Sequence, residues 1–337
     1  MPQIWTITIP DPVRGPERAR RLEEEGYDGL LVVDSQCMAP DSFVGLTTMA
    51  AATERIGIGT GVSNPATRHP SVLAGAAASL NVVSGGRVVL GIGRGDSSLF
   101  HIGRDPAPLS EFEPYLTQLC AYARGEAVDI DGTESRLRWL PYWNAAPVPV
   151  DVACTGPRIT RFSACVADRI TFAVGCDPER LRWSIDLART ARADAGLDPD
   201  GISFGAYVQA AAHPDRSAAV DLVRGITGVF AHFSGMKGST PEGQPPGDRA
   251  HFEALDAGYD KRHHATNNAE HARALDPGFI QRFAAIGPPD TVVARLREMV
   301  DAGAERLVFS PPSRDSDPDA QQVAARLFVN EVMPALR

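Results

Sequence analysis

Lysine is nearly missing from this chain: Lys237 and Lys261 are the only two, so almost all of its 33 basic residues are arginine. Basic charge is in deficit as well, with a formal net charge of -9. That balance excludes a nucleic-acid groove or an anionic-membrane surface as the main purpose of the fold. Cysteine is sparse and odd in number. Cys37, Cys120, Cys154, Cys165 and Cys176 contain no Cys-x-x-Cys pair and no zinc-like spacing, which excludes a disulfide framework and predicts free thiols in a reducing cytosol. No stretch of about 18 apolar residues and no secretory leader pattern is present, so a cytoplasmic protein is expected. No Ser-His-Asp or Cys-His set can be assembled, and the histidines lack the cysteine or glutamate partners of a metal site.

What is present is a regular alternation. Apolar strand-like runs at Gln3–Ile9, Gly29–Val33, Arg55–Val62, Arg87–Ile92, Pro149–Ala153, Arg169–Val174, Ile202–Ala210 and Arg306–Phe309 are separated by helical segments. The clearest of these helices are Pro12–Glu25, Asp41–Thr53, Pro70–Val83, Leu109–Arg124 and Asp319–Leu336. Short strands that are apolar along their whole length belong in a sheet covered on both faces. Eight βα units in 337 residues predict one domain over residues 1–337, an α/β (β/α)8 TIM barrel, with a doubly wound open sheet as the alternative. Two stretches interrupt the rhythm and read as insertions after strands four and seven: residues 125–147, and residues 233–277 with a Gly/Pro-rich part from Gly238 to Gly247 and a His/Asn-rich part. Long irregular stretches of this kind are commonly lids or binding loops.

In a barrel the carboxyl ends of the strands face the active site. Collected there are Asp34-Ser35-Gln36, Gly61-Val62-Ser63-Asn64-Pro65, Gly93-Arg94-Gly95-Asp96-Ser97, Cys154-Thr155-Gly156-Pro157-Arg158, Gly175-Cys176-Asp177 and Ser310-Pro311-Pro312. The glycines around Arg94 permit close backbone approach and anion binding, although Gly91-x-Gly93-x-Gly95 lacks the dinucleotide spacing. Thr155-Gly156-Pro157-Arg158 reads either as a phosphate-binding helix start or as an ordinary helix with a threonine cap. Asp34 reads as a group that orients or protonates a ring nitrogen, or as a loop cap. Arg68-His69 reads as a helix-start cap more readily than as catalytic, and the histidines at 263, 264 and 271 as solvated or lid-forming.

The block Arg55–Gly103, RIGIGTGVSNPATRHPSVLAGAAASLNVVSGGRVVLGIGRGDSSLFHIG, resembles the luciferase-like monooxygenase superfamily, in particular the branch that uses the deazaflavin coenzyme F420 and includes methylenetetrahydromethanopterin reductase. EEGYDGLLVVDS, CTGPRITRFSACVADRI and IGPPDTVVARLREMVDAGAERLVF extend the similarity over most of the chain. The resemblance implies a TIM barrel with F420, or alternatively FMN, at the strand ends. It also implies a bulge with a cis peptide at Gly61-Val62 behind the ring, and Asp34 and Asn64 beside it. Arg94, Gly95, Asp96, Ser97, Thr155, Gly156, Pro157 and Arg158 would hold the phosphate arm. Asp34 and Ser35 are then the candidate catalytic residues. Branch members that oxidise a sugar phosphate carry histidine where this chain has Ser35, which leaves the substrate class open. The expected activity is hydride transfer between F420 and a small organic substrate. An FMN-dependent monooxygenase and a non-catalytic flavin-binding barrel are the alternatives, and a homodimer is expected by analogy.

Overall fold

The computed structural model describes residues 1–235 and 249–337. Lys237 and the Gly238–Gly247 stretch therefore lie outside the described residues. Eight parallel strands close into a barrel in sequence order: β1 (Gln3–Thr8), β2 (Gly29–Val32), β3 (Gly57–Thr60), β4 (Val88–Ile92), β5 (Val150–Cys154), β6 (Arg169–Phe172), β7 (Ser203–Val208) and β8 (Arg306–Phe309). β1 pairs with both β2 and β8, so there is no free edge and the open-sheet alternative is ruled out.

Alternation along each strand sorts the side chains into two layers. Ile4, Leu30, Val32, Ile58, Leu90, Val152, Ile170, Phe172, Phe204 and Leu307 point outward and bury against the helices. Among these helices are α1 (Gly15–Glu24), α2 (Ser42–Ala51) and α3 (Pro70–Ser84). Trp5, Ile7, Leu31, Val89, Ala173, Tyr207 and Val308 belong to the interior cluster. The amino-terminal half of the bore is plugged. Trp5 lies level with Gly29, and Gly29 with Gly57. A Cβ at Gly29 would sit 2.2 Å from Trp5 Cδ2, and one at Gly57 would sit 2.7 Å from Cη2. Two glycines in register thus make room for one indole. Across the bore, the buried Arg306 donates to Asp151 (3.0 Å) and Thr171 (3.1 Å) above Gly205, pairing its charge inside the barrel.

The strand ends differ from the sequence reading by a residue or two. Arg55–Val62 shortens to Gly57–Thr60, and Ile202–Ala210 divides into β7 and a separate strand, Ala210–Ala212, that pairs with Ala285–Gly287 outside the barrel. The last helix breaks at Leu327 into a π-turn and a short final helix. Between β4 and β5 the chain forms a small helix (Ser97–Phe100), a long one (Leu109–Ala123) and a hairpin, Val128–Ile130 with Thr133–Ser135. Between β7 and β8 it forms the helix Arg216–Ser234 and several shorter helices up to Pro277–Phe283.

The Trp5 plug makes a direct prediction. Gly29→Ala should destabilise the barrel by about 1–3 kcal/mol, the usual cost of overpacking a filled core. Combining it with Trp5→Leu should recover part of that loss, because the two side chains compete for one space. Urea denaturation of both variants measures this, and simple additivity would contradict it.

Candidate functional site

The upper half of the bore is lined by small residues. Gly61, Gly93 and Ala153 stand on adjoining strand ends, with the Val62 side chain against them: a Cβ at Gly93 would lie 3.0 Å from Val62 Cγ2. The Gly61–Val62 peptide is cis. Together these residues make a shallow apolar floor at the carboxyl end of the barrel.

Polar groups ring that floor. Asp34, two residues past the end of β2, is buried, and Oδ2 accepts both Ser63 Oγ (2.6 Å) and Arg68 Nη1 (2.6 Å). Ser35 is half-buried beside it, and its carbonyl accepts the Met38 and Ala39 amides. Gln36 Nε2 donates to the Ser98 carbonyl (2.9 Å), tying the loop after β2 to the loop after β4 and leaving Gln36 Oε1 buried without a partner. Asn64 Oδ1 accepts the Ala66 and Thr67 amides, so its orientation is set, and among the described residues its buried Nδ2, like Gln36 Oε1, has no partner. His69 caps α3 as a helix-start residue. Arg68 does not: it reaches back from the same loop into the site, the first departure from the sequence reading.

Arg94 and Arg158 stand at the ends of β4 and β5. Arg94 Nε donates to the Ala107 carbonyl (2.6 Å). Burial, and then the nearby Arg158 guanidinium, pull Arg94 below the ordinary arginine value. Among the described residues neither arginine has an ion-pair partner, so two like charges converge with nothing between them to balance them. Gly156 precedes the helix Pro157–Val166, whose amino end has no side-chain cap. Thr155 is therefore not the helix cap that the plainer sequence reading assumed, and the amides behind Pro157 remain available to an anion.

The opposite side of the mouth is roofed. The helix Arg216–Ser234 crosses the ends of β6 to β8: Ser234 Oγ donates to the Ala173 carbonyl, Phe230 lies 5.7 Å from the inward Tyr207 ring, and Gly225 N donates to Ser313 Oγ (2.9 Å). From this roof the chain returns to the β4 loop. Lys261 Nζ and His232 Nε2 hold the two oxygens of Asp96 (2.5 and 3.1 Å). His264 Nδ1 lies 3.0 Å from Ser97 Oγ and 2.8 Å from the Tyr259 hydroxyl, and Tyr259 stacks on His232 with centroids 4.0 Å apart. Burial raises the Asp96 carboxyl, but hydrogen bonds from His232 and Lys261 outweigh it, so its pKa lies below the usual range. Burial also pulls His264 down to about 4, so its ring is neutral at neutral pH.

Asp96 and Ser97, expected on the phosphate arm, thus have roof residues as their protein partners. Nor are the histidines simply solvated: His271 is buried and His264 largely so, while His263 alone is exposed. Lys261, His232 and Tyr259 had no place in the sequence reading of the site, although the rarity of lysine was a signal for the first, while His264, read as solvated or lid-forming, sits in the roof. Burial pushes the Cys154 and Cys176 thiols up to about 12, so neither is a ready nucleophile. Among the described residues no cluster of His, Cys, Asp or Glu could hold a metal ion, and no helix is long and apolar enough to cross a membrane.

Known proteins share both the sequence and the architecture. A 5,10-methylenetetrahydromethanopterin reductase of Methanolobus tindarius is 25% identical over 297 residues, 87% of this chain and 89% of its own length. An F420-dependent glucose-6-phosphate dehydrogenase of Microbacterium testaceum is 27% identical over 334 residues, 94% of this chain and 90% of its own. Among solved structures, the coenzyme F420-dependent tetrahydromethanopterin reductase of Methanopyrus kandleri superposes with a TM-score of 0.75 at 20% identity, covering 100% of this chain and 99% of that one. These likenesses agree with the closed barrel and its mouth, and a model of the luciferase-like monooxygenase family matches residues 4–306: the chain belongs to that family of enzymes.

Proposed function

We propose that this protein is an oxidoreductase that binds coenzyme F420 and moves a hydride between it and a small organic substrate. The observation that carries the reading is the rim itself, where a floor of small residues adjoins two arginines that have no ion-pair partner among the described residues. F420 is named for relatives that span most of the chain, and bound here it would supply the hydride-carrying carbon. The residues present fit such a group. Gly61, Val62, Gly93 and Ala153 offer a flat apolar support, Asn64 Nδ2 a buried donor, and Gln36 Oε1 a buried acceptor, the last two lacking a partner among the described residues. Gly95, with φ +82°, lets the β4 loop turn tightly beside Arg94. Arg94, Arg158 and the uncapped amides after Thr155, Gly156 and Pro157 form the anion-binding end. Asp96 and Ser97 contribute by fastening the roof, which narrows the mouth and limits water. Asp34 would stand beside the ring and Ser35 toward the substrate. With serine at 35, a β2 histidine base is not part of this site, and we assign no sugar-phosphate oxidation to it.

We further read the enzyme as a cytoplasmic homodimer. Its five cysteines are all free, which fits a reducing compartment. Helices α2 and α3 pack together and contain no charged residue, yet Val44, Val72 and Val83 stand more than half exposed on their outer side. On a chain of net charge -9, that is a face which a second copy can approach without repulsion.

Two measurements test these readings. Titration should show tight binding of F420, and tight FMN binding with no F420 binding would overturn the assignment in favour of the FMN-dependent chemistry. Arg158→Ala should weaken F420 binding about tenfold, the scale of one charge-assisted contact, without shifting the melting temperature, since Arg158 is exposed. Sedimentation should give a dimer for the native chain and a folded monomer for the Val72→Glu/Val83→Glu variant. A monomeric native chain would remove the dimer.

A further inference from the structure

The Asp34 carboxylate is used on one side only. Both of its side-chain bonds fall on Oδ2, from the Ser63 hydroxyl and the Arg68 guanidinium at 2.6 Å each, and Oδ1 has no partner among the described residues. Arg68 is itself held at several points. Its Nη2 donates to Asp41 Oδ2 (2.8 Å), its guanidinium lies 5.3 Å from the centre of the Phe43 ring, and its carbonyl accepts the Tyr115 hydroxyl (2.8 Å). Asp41 is the N-cap of α2 and spends its other oxygen, Oδ1, on the Phe43 and Val44 amides. A continuous chain of contacts therefore runs from the start of α2, through one planar side chain, to the carboxylate at the mouth of the barrel.

We infer that Arg68 is a positioning residue. It orients Asp34 so that Oδ1 alone faces the site, and keeps that oxygen an acceptor for an N–H of the bound ligand. The inference rests on the proposed cofactor reading only for the identity of that ligand. Both partners of Oδ2, a hydroxyl and a guanidinium, donate to it, so the carboxylate serves as an acceptor in this arrangement. Of the two roles that the sequence left open for Asp34 at a ring nitrogen, orienting and protonating, this geometry selects orienting. The fork of the guanidinium is essential to it. One arm serves Asp34, the other Asp41, and the plane lies on Phe43, whereas an ammonium has neither the fork nor the plane.

The test compares the native enzyme with Arg68→Met, Arg68→Lys and Asp41→Asn. F420 affinity is measured alongside thermal melting and a cofactor-free crystal structure of each variant. Arg68→Met should bind F420 at least about tenfold more weakly, the effect of removing one partner of a largely desolvated charge pair. Arg68→Lys should rescue only in part. Asp41→Asn keeps a good helix cap and removes only the Arg68 anchor, so it should weaken binding in the same direction with little change in melting temperature. In the cofactor-free crystals, the Asp34 carboxylate should leave its native orientation in Arg68→Met. If the native protein binds F420 while Arg68→Met and Asp41→Asn bind it equally well, the inference fails and the cofactor assignment stands. If the native protein does not bind F420, the cofactor assignment fails, and an unmoved Asp34 in the Arg68→Met crystal then overturns the positioning role separately.

Discussion

Closure of β1 onto β8 is the constraint on which everything else rests. Once the eight strands form a ring, their alternation leaves only two places for a side chain, against the helices or inside the bore, and all eight carboxyl ends meet on one rim. The interior then has to be filled from below. Trp5 achieves this by occupying space that Gly29 and Gly57 leave free, and Arg306 and Asp151 complete the layer as a paired charge. Above that plug the inward residues become small, and the bore ends in a floor instead of a packed core. The site thus follows from where the packing stops.

The mouth is asymmetric. The ends of β6 to β8 lie under the helix Arg216–Ser234, while β2 to β5 present Asp34, Asn64, Arg94 and Arg158 on the open side. The two sides meet at Asp96, which the roof grips through Lys261 and His232. The contact resembles a latch more than a surface salt bridge, because its members are largely shielded from water and share a stacked pair, Tyr259 and His232. Exposed ion pairs contribute little to stability, and shielding from solvent is what gives this one weight.

Much of the barrel was legible in the sequence, because short runs that are apolar throughout have few other uses. The exact strand limits were not. Arg55 and Ile56 read as part of β3 by composition, yet pairing begins at Gly57, and the Arg55 and Ile56 amides are instead taken by the Glu23 carboxylate. Composition reports burial, whereas strand ends are decided by which backbone groups find partners. The rim residues were legible for a similar reason: glycine, asparagine and aspartate following an apolar run mark a strand's exit wherever it occurs. The latch was not, since Asp96 and Lys261 are 165 positions apart, and no local pattern encodes their meeting. Arg68 was misread by the same limit. Next to a proline-initiated helix it looks like a cap, and only the fold places Asp34 within its reach.

The same geometry clarifies what a serine at position 35 changes. In this mouth the groups beside the floor divide into fixed acceptors, fixed donors and unbalanced cations, and His264 is the one imidazole whose Nδ1 bonds the β4 loop. Burial holds that ring neutral, so its folded-state value near 4 lies below the ordinary value near 6.5. The sign follows: the unfolded chain takes up the proton first. The stability contributed by the neutral ring is present above about pH 6.5 and is lost as the pH falls through about 4. When the folded ring does take up its proton, near pH 4, the roof loses a hydrogen-bond acceptor for the Ser97 and Tyr259 hydroxyls and gains a charge close to His232, His271 and Arg314, with Asp96 opposing them. Acid therefore weakens the roof through a buried histidine, and among the described residues the barrel beneath it, closed by backbone hydrogen bonds and plugged by Trp5, has no comparable one.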